Sequence, residues 1–128
     1  MKKISLLTKI SFHTFNIGLI ILYLYPGSVL GWLIYNDFQK QPQITGDFII
    51  SSNHFYAFML LSLLGIISFS NEKIKILFIY LIFIAIFLEL CHIIIVSRSF
   101  QYSDLFGNLL GVFFILFLFN FYQYLKSQ

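Results

Sequence analysis

Residues 74–96 read Ile-Lys-Ile-Leu-Phe-Ile-Tyr-Leu-Ile-Phe-Ile-Ala-Ile-Phe-Leu-Glu-Leu-Cys-His-Ile-Ile-Ile-Val, an apolar run interrupted by Lys75, Glu89 and His92. The hydrocarbon core of a bilayer takes about 20 predominantly apolar residues in a helix, so this run is long enough to cross it. Three further stretches qualify, at 6–25, 54–70 and 105–124. The first ends at Pro26-Gly27, a pair that stops helices. Residues 28–38, with Trp32 and Tyr35 among aliphatics, are too short to span and have the aromatic content of an interfacial segment. Residues 39–52 form a polar loop. The expected fold is an all-α bundle of four transmembrane helices, in a single domain covering residues 1–128.

Composition agrees. The chain is 59% hydrophobic and 10% charged, with 17 Phe, and its mean hydropathy is +0.89. A soluble domain of this length needs far more surface charge. The net charge of +3 does not point to nucleic acid, because the basic residues are spread thinly around apolar segments. Cys91, the single cysteine, excludes an internal disulfide. The Met-Lys-Lys start resembles a signal peptide, but no small-residue cleavage site follows. Lys9, His13 and Asn16 also break the apolar run, so an uncleaved first helix is expected. Lys2, Lys3, Lys9, Lys73, Lys75 and Lys126 fall on the side of the termini, and Lys40 and Arg98 on the other. By the positive-inside bias, both termini are expected in the cytoplasm.

With that topology, the unusual polar residues converge on the outer half of the membrane. His54 opens the second helix. Glu89 lies seven residues below the expected end of the third, about 10 Å deep at 1.5 Å per residue. His92 is one turn above it on the same face. Arg98 sits in the outer loop, Asp104 starts the fourth helix, and Asn108 is one turn further in. Ionisable groups at membrane depth are costly and are default candidates for a functional site. Glu89 and His92 are the candidate acid/base pair, since His92 can hydrogen-bond the carboxylate and be oriented by it. The competing reading of Glu89 is a helix–helix hydrogen bond.

Pro26-Gly27-Ser28, His54-Phe55, Glu89, Arg98, Asp104 and Asn108-x-x-Gly111 follow one another at the spacings of the VanZ-like family of small bacterial membrane proteins, which the chain resembles over residues 20–118. It departs from the family pattern at His92, where Gln is usual, and at Phe58, since the tyrosine of the histidine motif is displaced to Tyr56. Ile50-Ser51 also replaces the Asp-Lys pair that often precedes the histidine. The resemblance implies a multi-pass protein of the bacterial cytoplasmic membrane with a role in the cell envelope. The family's namesake is linked to reduced susceptibility to the glycopeptide teicoplanin.

Glu-x-x-His is also a metal-ligand spacing of helical bundles, and His54 and Asp104 could complete four ligands. The family's Gln at the position of His92 is a poor ligand, so neither a metal nor a cofactor is expected. Cys91 and His92 are adjacent on a helix and point about 100° apart, which argues against a thiol–imidazole pair. Arg98 can cap the carbonyls ending the third helix or pair with Asp104, while Ser103 or Asp104 can cap the fourth. As a functional group, Arg98 suits a phosphate or carboxylate clamp. Gly107-x-x-x-Gly111 is a small-residue packing motif, either within the bundle or between copies in a homo-oligomer. His13 and Asn16 lie outside the cluster. The expected function is engagement of a lipid headgroup or a lipid-linked glycan at the outer leaflet through His54, Glu89, His92, Arg98, Asp104 and Asn108. The alternatives are acid/base catalysis on such a lipid and a structural, partner-binding subunit. A transporter is disfavoured, because no inverted repeat or discontinuous helix pair is present.

Overall fold

Apolar side chains recur at helical spacing in every long segment, and the buried positions follow that spacing. In a computed structural model, which describes residues 2–69 and 73–128 with side chains from residue 6, five helices form: α1 Lys2–Leu24, α2 Val29–Tyr35, α3 Ser52–Phe69, α4 Ile74–Cys91 and α5 Tyr102–Lys126. The described residues include no strand. All four long helices are long and apolar enough to cross a membrane, so the chain is a multi-pass membrane protein. The expected end of the second span at residue 70 and the side chains of Lys2 and Lys3 lie outside the described residues.

Each helix turns one stripe inward. On α1 the stripe is Phe12, Asn16, Leu19 and Tyr23; on α4 it is Leu77, Leu81, Ile84 and Leu88, flanked by Phe78, Ala85 and Glu89. The opposite faces carry exposed Ile17, Ile79, Phe83 and Phe117, as expected where the surrounding solvent is lipid. Around the bundle α1 packs on α3, α3 on α5, α5 on α4 and α4 on α1, and α3 meets α4 across the middle.

Lipid tails are as apolar as the helix surfaces, so close approach of backbones has to drive association. Gly107 and Gly111 provide it. A Cβ on Gly107 would lie 2.7 Å from the Ser51 carbonyl oxygen, and one on Gly111 2.5 Å from that of Phe55. The glycine ridge is therefore occupied by α3 of the same chain, and the surface considered for a homo-oligomer is already covered. Phe58, Leu61 and Val112, all without exposed surface, fill the space beside it.

Two boundaries differ from expectation and matter for the site. The third span ends at Cys91, five residues before 96. His92, Ile93 and Ile94 instead donate to the carbonyls of Glu89, Leu90 and Cys91, three residues back, the tighter winding common at helix ends. Ser97 then takes a left-handed φ of 68° and reverses the chain. Glu89 consequently sits in the last turn of α4, and packing rather than depth buries it. Residues 28–38 contain a short helix, α2, capped by Ser28 Oγ, which accepts from Gly31 N–H at 2.9 Å. Trp32, Leu33, Ile34 and Tyr35 on α2 remain exposed.

Candidate functional site

Four helix termini meet at one end of the bundle: the ends of α1 and α4 and the starts of α3 and α5. Tyr23 comes from α1, Glu89 from α4 with His92 just past its end, His54 from α3, and Asp104 and Asn108 from α5. Asn108 is the hub. Its amide nitrogen donates to the Ala85 carbonyl at 3.1 Å, which turns Oδ1 toward Tyr23 and His54. Tyr23 Oη donates to Oδ1 at 2.7 Å, and His54 Nδ1 lies 3.0 Å from both oxygens. The Tyr23 ring stands edge-on to His54 and stacks on His92, with centroids 4.9 and 5.8 Å apart.

These partners assign the ring protons. Asn108 Oδ1 can only accept, and the single Tyr23 hydroxyl proton goes to it. His54 Nδ1 must then carry hydrogen, which it donates toward Asn108 Oδ1. Nε2 faces Asp104 Oδ2 at 3.5 Å. His92 follows the same logic. Its Nε2 lies 3.1 Å from the Tyr23 carbonyl, an acceptor, so Nε2 donates. Nδ1 faces Glu89 Oε2 at 3.2 Å.

Glu89 is fully buried. Its Oε1 accepts from Gln101 N–H at 2.9 Å, at the start of α5. A carboxylate there also meets the positive end of the helix dipole. Oε2 has the approach of His92 but no aligned hydrogen bond. The expected caps of α5 do not form: Gln101 is the cap residue and no side chain bonds the first amides, while Ser103 Oγ donates to Asp104 Oδ1 at 3.3 Å. Glu89, from the neighbouring helix, occupies this junction instead.

Arg98 is placed differently from either structural expectation. It neither caps α4 nor reaches Asp104. Its Nη2 donates to the carbonyls of Leu22 and Gly27 at 3.1 and 2.7 Å, and Nε to that of Tyr25 at 3.3 Å. Pro26 stops α1 and leaves these carbonyls without helical donors, and a guanidinium, with five N–H donors in a fixed fork, can serve three at once. Burial lowers the Arg98 pKa from its ordinary value. Nη1 takes no part in this cap.

Beside the cluster is a cavity of about 700 Å³ between α1, α2, α3 and residues 41–44. Phe15, Leu19, Leu22, Leu30, Ile34 and Leu60 make much of its wall apolar, and His54, His92 and Arg98 are among its polar lining residues. Loop residues 41–44 are held over it by Asn53, which accepts from Ile44 N–H at 3.1 Å and donates to the Pro42 carbonyl at 2.6 Å.

All six residues singled out from the sequence thus gather at one end, with His54, Asp104 and Asn108 in one linked group and Glu89 and His92 beside it. Arg98 adjoins them through α1. Tyr23 was missed. A tyrosine at the end of an apolar helix reads as an interfacial anchor, and nothing in its local sequence separates that from a hub. Cys91 is half-buried and free. One donor atom each from His54, Glu89 and Asp104 lies within 4.8 Å of the others. Comparison with family models, with curated proteins and with solved structures found no match to this chain.

Proposed function

We propose that the protein is a VanZ-like component of the bacterial cytoplasmic membrane, with cytoplasmic termini, that holds a lipid or lipid-linked glycan at the outer leaflet. The cavity carries this reading. Its volume of about 700 Å³ lies in the usual range of small-molecule sites, which pair apolar walls with a few fixed polar groups. An acyl chain matches the wall formed by Phe15, Leu19, Leu22 and Leu60, and an anionic headgroup matches the polar lining of Arg98, His54 and His92. Arg98 contributes charge and its Nη1 there rather than a two-pronged clamp, because Nε and Nη2 are held by α1 carbonyls. Such binding is a natural route to an altered response to glycopeptides, whose targets are lipid-linked wall precursors.

Gly18 lines the cavity, and a Cβ added there meets nothing within 4 Å. Gly18→Trp is therefore expected to fill the space while the bundle still assembles. Native mass spectrometry of protein released from bacterial membranes should find bound phospholipid or lipid-linked glycan on the wild type and little on the variant. Equal retention by both would sink the reading. A second reading, acid/base chemistry on the held lipid, is favoured by the 3.2 Å approach of His92 to Glu89 beside the cavity. It requires Glu89→Gln to keep the lipid and lose its conversion.

A further inference from the structure

Two carboxylates at the head of the bundle stand against imidazole nitrogens. His54 Nε2 faces Asp104 Oδ2, and His92 Nδ1 faces Glu89 Oε2. Among the described residues, the ion-pair partners of these two carboxylates are those same histidines. Arg98, the nearest candidate cation by sequence, is committed to the carbonyls of Leu22, Tyr25 and Gly27. A buried carboxylate is costly unless a proton donor or a cation stands beside it.

We infer that His54 Nε2, Asp104 Oδ2 and Glu89 Oε2 form a binding site for one divalent first-row transition ion, of the zinc or manganese type. Three observations converge on it. One donor atom from each of these residues lies within 4.8 Å of the other two. His54 Nε2 and Asp104 Oδ2 are already 3.5 Å apart, against about 3.4 Å for two donors on one tetrahedral ion with bonds of about 2.0–2.1 Å. Glu89 Oε2, on a residue with no exposed surface, has the 3.2 Å approach of His92 Nδ1 but no aligned hydrogen bond among the described residues.

The outer shell has the form that metal histidines use. A ligand histidine donates its other ring N–H to a protein acceptor, fixing the tautomer, and here Tyr23 Oη and Asn108 Oδ1 hold Nδ1 while Asn108 is itself anchored on Ala85. Gln101 N–H does the same for Oε1 of Glu89. One nitrogen and two carboxylate oxygens suit borderline ions better than calcium or copper(I). Three protein ligands leave at least one position for water or a ligand. His54 and Asp104 side chains keep 16% and 17% of their surface exposed, which gives the ion a route in. His92 is not among the three donors, so the usual glutamine at its position in the resembled family does not count against the site.

The test uses the full chain in detergent, purified without a polyhistidine tag and stripped with chelator. Zn²⁺ and Mn²⁺ are titrated in turn, with the bound ion counted by elemental mass spectrometry after desalting, and Co²⁺ is added as a visible-absorption probe. One equivalent per chain is expected, with His54→Ala, Asp104→Asn and Glu89→Gln each losing it. Tyr23→Phe, which keeps the aromatic packing and removes the hydroxyl, should weaken affinity by about 10- to 100-fold. His13→Ala should bind as the wild type does. Circular dichroism identifies any variant that fails to fold, and the wild-type Co²⁺ spectrum needs no variant. A stripped wild type that takes up none of the three ions overturns the proposal, because protons then occupy the gap. Uptake unchanged in folded His54→Ala and Asp104→Asn overturns it as well.

Discussion

Polar groups are buried at both ends of the helix bundle, but they are organised differently. Where α1 and α4 stop and α3 and α5 start, Asn108 links Tyr23, His54 and the Ala85 carbonyl, and Asp104, Glu89 and His92 extend the set. Toward the opposite end the described polar contacts include separate ones. Asn16 donates to Tyr80 Oη, Lys9 lies 5.4 Å from the centre of the Phe69 ring, and Ser68 bonds its own helix at the Leu64 carbonyl. Asn16 Oδ1 and Ser62 Oγ are buried without a hydrogen-bond partner among the described residues. One region is a connected network facing a cavity; the other is helix packing with occasional polar contacts. A single polar pair between membrane helices is worth about 0.6 kcal/mol on average, whereas a network shares its members and fails together.

That contrast can be broken by substitution. The largest effect is expected at Gly111, which fixes the approach of α5 to α3 beneath the network. In Gly111→Val the new Cβ meets the Phe55 carbonyl oxygen and the Met59 nitrogen at 2.5 and 2.8 Å. Neither is a flexible side chain, so the helices must separate, and a loss of monodisperse protein in size-exclusion chromatography is expected. An intermediate effect is expected for Asn108→Leu. It removes the bonds to the Ala85 carbonyl, the Tyr23 hydroxyl and His54 Nδ1, of which the last two keep each other at 3.0 Å, at a net cost of about 1–3 kcal/mol. Thermal unfolding in detergent should show a clear drop in midpoint. The smallest effect is expected for Asn16→Leu, which removes one pair and one unsatisfied oxygen. A change within about 1 kcal/mol is expected, read in the same unfolding assay. If Asn16→Leu destabilised the protein as much as Asn108→Leu, the distinction between network and isolated pair would be lost.

The residues of the site were legible one by one, because a carboxylate, an imidazole or an amide stands out in a chain this apolar. Their partners were not. Arg98 was expected to serve α4 or Asp104, which are close in sequence, and it serves α1 more than 70 residues away. The end of α4 was also hidden. Ile93, Ile94, Ile95 and Val96 continue the apolar pattern past Cys91, and hydropathy cannot register where hydrogen bonding tightens into a turn. Glu89 looked deep because the helix looked long. Its burial comes from packing at the junction with α5, where Gln101 meets it.

The amino-acid sequence by itself determined four membrane-length helices and the stretch that holds most of the polar groups, since both follow from length, apolar content and the rarity of charge in oil. It also contained the glycine ridge that sets α5 against α3. Only the tertiary structure decided that Tyr23 sits between two imidazoles, that Arg98 closes α1, and that His54 and Asp104 share a space with Glu89. Local pattern reports which face of a helix is apolar. Proton assignments and donor distances depend on how four helix ends are brought together, and that is a property of the packed bundle.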